Sequence, residues 1–208
     1  MKCIIKHGEP QALIDWKSQS NDDWQPSYED LRGNEKETVK QSLMIEQGFL
    51  CCYCERRLTI DDSHIEHFRP QNDPKCDALD YGNLLCSCQN KIPKGDPRHC
   101  GNLKNGWFDE NSLVSPLSEG CEMRFAYTGD GRIRVADSAD QNANLTIKTL
   151  GLNLRKLDDL RKHAISPFID AELSDNEFRE FVAGYLELNH DIFGEFWTTI
   201  RHLFGTAG

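Results

Sequence analysis

The sequence predicts an α+β fold: a small cysteine-rich core near residues 48–108, set in a mostly helical chain, with a β-hairpin near 123–136. Three observations point there. Five of the nine cysteines fall in tight groups, at 51, 52, 54, 86 and 88, within a stretch rich in Cys, His, Asn, Gly and Pro that has little regular periodicity. Met123-Arg124-Phe125-Ala126-Tyr127 and Arg132-Ile133-Arg134-Val135 alternate on either side of Thr128-Gly129-Asp130-Gly131, the pattern of a hairpin. Most of the remaining chain carries apolar residues at helical spacing.

The elements follow in order. Residues 1–47 read as an N-terminal helical segment. Pro10 to about Lys17 holds Leu13, Ile14 and Trp16 in one amphipathic run, and Glu35–Gln47 repeats Val39, Leu43 and Ile45 near helical spacing. Gly48 suits the helix end. Residues 109–208 begin with the hairpin and continue as helices. Ala143–Leu150 stops at Gly151, and Leu154 to about Ala171 is broken near Pro167. Ser174-Asp175-Asn176-Glu177 opens another helix, with acids in its first turn and Phe178, Phe181, Val182, Tyr185 and Leu186 on one face. Phe193, Phe196, Trp197, Ile200 and Phe204 form a last aromatic stripe, which suits either a core face or a partner-docking surface.

Composition narrows the class. At 208 residues, 38% hydrophobic and 28% charged, the chain is not globally disordered. No apolar run approaches the roughly 20 residues of a membrane span, and Met1–His7 lacks a signal peptide's apolar segment. A cytoplasmic protein without membrane partners is expected. Grouped cysteines in a reducing compartment point to metal ligation rather than disulfides, whereas the isolated Cys3, Cys76 and Cys121 read as free thiols. The net charge of −10 disfavours tight binding of nucleic acid by the chain alone. Charge is uneven, however: Lys91, Lys94, Arg98 and Lys104 face only Asp96 nearby, and Arg56, Arg57 and Arg69 flank the motifs. A basic cleft on an acidic body is one reading, and a partner that supplies positive surface is the other.

The chemistry concentrates at 51–104. Cys51 and Cys54 form a C-x2-C pair, able to grip one Zn²⁺ from a tight turn, and a structural zinc needs four ligands. Cys88 and Cys100 complete the favoured set, with Cys52 and Cys86 as substitutes. Between the pairs lies Ser63-His64-Ile65-Glu66-His67-Phe68-Arg69-Pro70, read as a strand leading into a loop. Asn83 follows sixteen residues after His67. Phosphodiester hydrolysis needs a base for water and a divalent ion for the anionic transition state. His67 suits the base and Glu66 a hard oxygen ligand for Mg²⁺ or Mn²⁺. Asn83 suits a group that accepts from the other ring nitrogen and fixes the tautomer. One difficulty stands: neighbouring strand residues point to opposite faces, so Glu66 and His67 need a bend or an approach from two sides.

The order C-x2-C, I-E-H-F-R-P, N-L-L-x-S-C and H-C-G-x-x-K, within about 55 residues, resembles the zinc-containing HNH (ββα-metal) endonucleases. Among these it looks most like the PtuB-type HNH proteins of Septu and retron anti-phage defence systems. The resemblance implies a ββα-metal core with His67 as general base, Glu66 as metal ligand, Asn83 as orienting residue and structural zinc on Cys51, Cys54, Cys88 and Cys100. It also implies a DNA or RNA substrate, an ABC/SMC-like ATPase subunit (PtuA-type), and a retron reverse transcriptase with its RNA and DNA. The sequence departs from the simpler pattern at the third letter, where Gly101 stands in place of His or Asn. The last catalytic-metal ligand then falls to His99, Asn102 or Asn90, with His99 favoured. His64 suits either a supporting group or a plain strand residue. The rival function is a non-catalytic zinc-binding interaction module, with Glu66-His67 incidental. No H-E-x-x-H occurs, which argues against a zinc hydrolase of that type.

Overall fold

A computed structural model describes residues 1–169 and 172–205. Its centre is a strand pair in the cysteine-rich stretch, where one strand leading into a loop is expected from the residues. Ser63–His67 forms β1 and Leu84–Cys88 forms β2. They pair antiparallel, with Ser63 opposite Cys88, Ile65 opposite Cys86 and His67 opposite Leu84. Every residue of β2 is buried, which accounts for a run of leucines, small residues and cysteines without alternating charge. Helix α2 (Gly33–Glu46) packs on β2 and buries Val39, Leu43 and Met44.

Gln47, just past α2, behaves like a third strand. Its side-chain amide donates to the carbonyls of Leu50 and Cys86 at 2.7 and 2.8 Å and accepts from the Cys86 amide at 2.7 Å. The free backbone of β2 is thereby paired inside the core, where unpaired groups are costly. Gly48 follows with φ of +58°, and a Cβ there would lie 2.2 Å from the Phe193 ring. Glycine is therefore required twice, for the turn and for the close approach.

The remaining elements follow the sequence within a few residues. Helix α1 is Gln11–Lys17. A single turn, α3 (Gly101–Lys104), lies against the β1–β2 hairpin, and the Cys100 amide before it donates to Leu150 at 2.8 Å. Strands β3 (Phe125–Tyr127) and β4 (Ile133–Val135) form the second hairpin. Helix α4 (Gln141–Thr149) starts at Asp140, whose carboxylate accepts from the Ala143 amide at 2.9 Å. Helix α5 is Arg155–Ile169, α6 is Asp175–Leu186 with a Ser174–Glu177 capping box, and α7 is Trp197–Phe204. The expected α+β organisation is thus present. Among the described residues no helix is long and apolar enough to cross a membrane.

One expectation needs correction. Pro167 lies inside α5 rather than breaking it. It and His163, whose carbonyl loses a donor, are both exposed, so water can serve that carbonyl. The expected helix end near Ala171 lies outside the described residues. The aromatic stripe packs inward. Phe196 is buried and its amide donates to Glu55 at 3.0 Å, while the Trp197 indole donates to Leu186 at 2.7 Å. Ile165, Phe168, Val182 and Ile200 form a second small core with Phe178, Tyr185 and Phe204 against it. A truncation of Phe196 to alanine should lower unfolding free energy by about 3–5 kcal/mol, read by chemical denaturation. Unchanged stability with loss only of partner binding would restore the docking-face reading.

Candidate functional site

Three chain segments deliver four sulfurs to one point. Cys51 and Cys54 come from the turn after α2, Cys88 ends β2, and Cys100 precedes α3. Their Sγ atoms all lie within 4.8 Å of one another and all four residues are buried. The nine cysteines are free thiols, so this closeness is not a disulfide in disguise. Four sulfurs so placed can hold one metal ion. Cys52 and Cys86, the possible substitutes, lie outside the group. Burial pushes the Cys86 thiol up to about 12 and the Cys52 thiol well above its usual value, as expected of inert structural cysteines.

His99 joins this cluster rather than a catalytic metal. Its Nδ1 lies 3.1 Å from Cys100 Sγ and 3.7 Å from Cys88 Sγ, and its ring is fully buried. The Gln89 side chain fixes it there by accepting from the His99 amide at 2.9 Å. The favoured position for the last catalytic ligand is therefore turned to the sulfurs and does not border the cleft of Glu66 and His67.

The other groups meet at an open cleft of about 480 Å³, bordered by Glu66, His67, Gln71, Arg98, Asn102 and Lys104. Alternation along β1 is kept: Glu66 turns toward α3, and His67 turns toward Tyr28, whose ring meets the imidazole edge-on at 4.5 Å. The cleft wraps the end of the strand, so both side chains reach it without a kink.

Glu66 is buried and well supplied with partners. Its Oε1 accepts from the Tyr53 hydroxyl at 3.0 Å and pairs with Lys104 Nζ at 2.8 Å, while Oε2 faces His64 Nε2 at 3.7 Å. Burial pushes the Glu66 carboxyl upward, but His64 and Lys104 outweigh it and hold the pKa below the usual value, so the group is ionised. Lys104 also donates to the His67 carbonyl at 3.0 Å and is only 2% exposed. It is not the surface charge that the sequence suggested, but an internal clamp between Glu66 and the backbone of His67.

The His67 ring is oriented by backbone. Its Nε2 lies 3.0 Å from the Ala78 carbonyl, and a carbonyl can only accept, so Nε2 carries the hydrogen. Nδ1 keeps its lone pair, which meets the Gln71 amide nitrogen at 3.3 Å. Burial holds the pKa of His67 below 6.5. Asn83 does not touch the ring, contrary to expectation. Its Oδ1 accepts from the Arg69 amide at 2.8 Å and its Nδ2 donates to the Arg69 carbonyl at 2.9 Å. It fastens the loop 68–83 at its base, and Ala78 in that loop does the orienting.

Asn102 borders the cleft with its Nδ2 donated to Gln89 at 2.8 Å. Asn90 is exposed and faces a neighbouring depression shared with Tyr28, Lys36 and His64. Sequence reasoning missed Lys104, Tyr53, Gln71 and Ala78 as site residues. Lys104 carried a signal, as the last residue of H-C-G-x-x-K, and Tyr53 sits inside the C-x2-C turn; a backbone carbonyl carries none.

Two short strands, a one-turn helix and a buried four-sulfur cluster able to hold a metal ion frame an ionised carboxylate beside a neutral histidine. No family model matches the chain. Two curated relatives do, each bearing the name "putative HNH endonuclease" of a retron. That of Retron Vc95, from Vibrio cholerae serotype O1 biovar El Tor, is 29% identical over 150 residues, covering 69% of this chain and 70% of the relative. That of Retron Ec83, from Escherichia coli, is 30% identical over 127 residues, covering 54% of this chain and 49% of the relative. The chain is thus similar to proteins named as HNH endonucleases of retrons. Breaking the internal clamp tests the site's construction: Lys104→Met should cost about 3–5 kcal/mol by leaving Glu66 buried and unpaired. Adding Glu66→Gln should recover part of that loss in a denaturation cycle, and strictly additive losses would show that the two side chains do not depend on each other.

Proposed function

We propose that the chain is a metal-dependent nuclease subunit that hydrolyses phosphodiester bonds in DNA or RNA within an anti-phage defence complex. The observation that carries the chemistry is the state of His67: hydrogen on Nε2, lone pair on Nδ1 at the cleft, with ionised Glu66 on the adjoining wall. Nδ1 takes the proton of the attacking water, while the Ala78 carbonyl holds the ring and steadies the cation that forms. Gln71 yields the lone pair as water enters. Glu66 offers an oxygen to Mg²⁺ or Mn²⁺, an ion that supplies positive charge to the phosphoryl group and leaving oxygen when bound.

The four thiols suit structural Zn²⁺. Sulfurs about 2.3 Å from a tetrahedral zinc stand about 3.8 Å apart, and Cys54 Sγ to Cys88 Sγ measures 3.8 Å. The exposed Arg98 at the cleft, with exposed Lys91 and Lys94 on the same segment, suits phosphate contact. The body's net charge of −10 favours substrate delivery by a larger assembly. The retron names of the relatives support a reverse transcriptase and its RNA and DNA as neighbours, and the motif resemblance supports a PtuA-type ATPase that gates cleavage. Nine unpaired cysteines suit the cytoplasm. The interaction-module reading leaves unexplained why a buried lysine and a loop carbonyl hold Glu66 and His67 at an open cleft.

Purified protein with plasmid DNA and total RNA should show cleavage that needs Mg²⁺ or Mn²⁺, with the ATPase added where the chain alone is silent. His67→Ala should reduce it by about 10²–10⁴-fold while zinc content and folding stay intact. Cleavage surviving in that variant would mean the base is wrongly assigned. Because burial lowers the pKa of His67, the neutral base persists into mild acid. The acid limb of the rate profile should therefore fall below pH 6.5, and the stability from neutral His67 should be lost over the same window as pH drops. Removing the structural metal by Cys54→Ser should unfold the chain, since such an ion contributes on the order of 10 kcal/mol.

A further inference from the structure

Glu66 alone is a poor seat for a cation, and the residues expected to help it are engaged elsewhere. His99 is committed to the cysteine cluster. The Asn102 amide nitrogen is held by Gln89. The backbone at the start of α3 leaves no room for a side chain: a Cβ on Gly101 would lie 2.3 Å from Glu66 Oε2 and 3.1 Å from His64 Nε2. The backbone of Gly101 therefore presses directly on a pair formed within β1, two residues apart on one face. Glu66 Oε1 is taken by Tyr53 and Lys104, so Oε2 is the free oxygen, and His64 Nε2 stands 3.7 Å from it, beyond a direct hydrogen bond. The His64 side chain is 24% exposed and borders the depression containing Lys36 and Asn90, so solvent reaches His64 from that side, while Glu66 borders the cleft.

The geometry points to His64 as the second protein ligand of the divalent ion, so that His64 Nε2 and Glu66 Oε2 form a mixed nitrogen–oxygen seat and Gly101 is the residue that leaves space for it. This rests on the reading of Glu66 as a metal ligand. The donor set has a consequence for metal choice. Imidazole favours Mn²⁺ and later first-row ions, whereas Mg²⁺ prefers all-oxygen sites with several waters. The seat should therefore bind Mn²⁺ more tightly than Mg²⁺, and that preference should depend on His64.

The test uses the full, zinc-loaded chain with Mn²⁺ as probe, followed by titration calorimetry and by pulsed EPR for ¹⁴N coupling to the bound ion. Wild type should bind Mn²⁺ with an imidazole nitrogen signal. His64→Ala, with zinc content and circular dichroism unchanged, should lose that signal and at least about tenfold in Mn²⁺ affinity. It should lose less in Mg²⁺ affinity, and His64→Asp should raise Mg²⁺ relative to Mn²⁺. An intact nitrogen signal in His64→Ala, or one that vanishes instead in His67→Ala, overturns the assignment of His64 and leaves Glu66 standing. Failure of wild type to bind Mn²⁺, or binding unaffected by Glu66→Gln, overturns the reading of Glu66 and this inference with it.

Discussion

Two strands of five residues and a single helical turn cannot hold a shape in water by themselves. What holds this hairpin is the meeting of Cys51, Cys54, Cys88 and Cys100. The turn after α2, the end of β2 and the start of α3 are fixed to one another wherever these sulfurs share an ion. The position of α3 in turn decides what Glu66 touches, because Gly101 and Lys104 both lie on that one turn. Geometry at the cleft thus depends on a cluster that includes the residue just before that helix.

The cleft itself balances two opposing demands. The Glu66 carboxylate, the proposed cation ligand, is ionised, yet it is drawn into the protein, where burial favours the neutral acid. Lys104 resolves this by pairing with one Glu66 oxygen from inside, while the other faces His64. The same ammonium holds the backbone of His67. Glu66 and His67 are therefore positioned by one group, although they occupy opposite faces of β1.

Much of this was legible in the residues. The zinc-type spacing, the hairpin near 123–136 and the helices rest on local rules, and Cys51, Cys54, Cys88 and Cys100 do come together. Glu66 and His67 border one cleft. The errors came from long-range placement. Asn83 was read by its capacity to accept a hydrogen bond, and it does accept one, but from the backbone of Arg69. His99 was read as a ligand beside Cys100, and the turn directs it to the sulfurs instead. Lys104 looked like surface charge because a lone lysine is seldom buried, and its partner lies 38 positions earlier in the chain. The aromatic stripe of Phe196 and Trp197 carried a helical period but no sign of which body it would face.

The fastening of loop 68–83 by Asn83 has a consequence for the base. Ala78 belongs to that loop, so the hydrogen on Nε2 of His67 has a fixed address only while the loop is shut. In an open loop the imidazole would share its hydrogen between both nitrogens and turn about χ2. Only the shut fraction of molecules would then carry a base in register, and the apparent rate would scale with that fraction. The loop's equilibrium would set the catalytic duty cycle as directly as the acidity of the ring does.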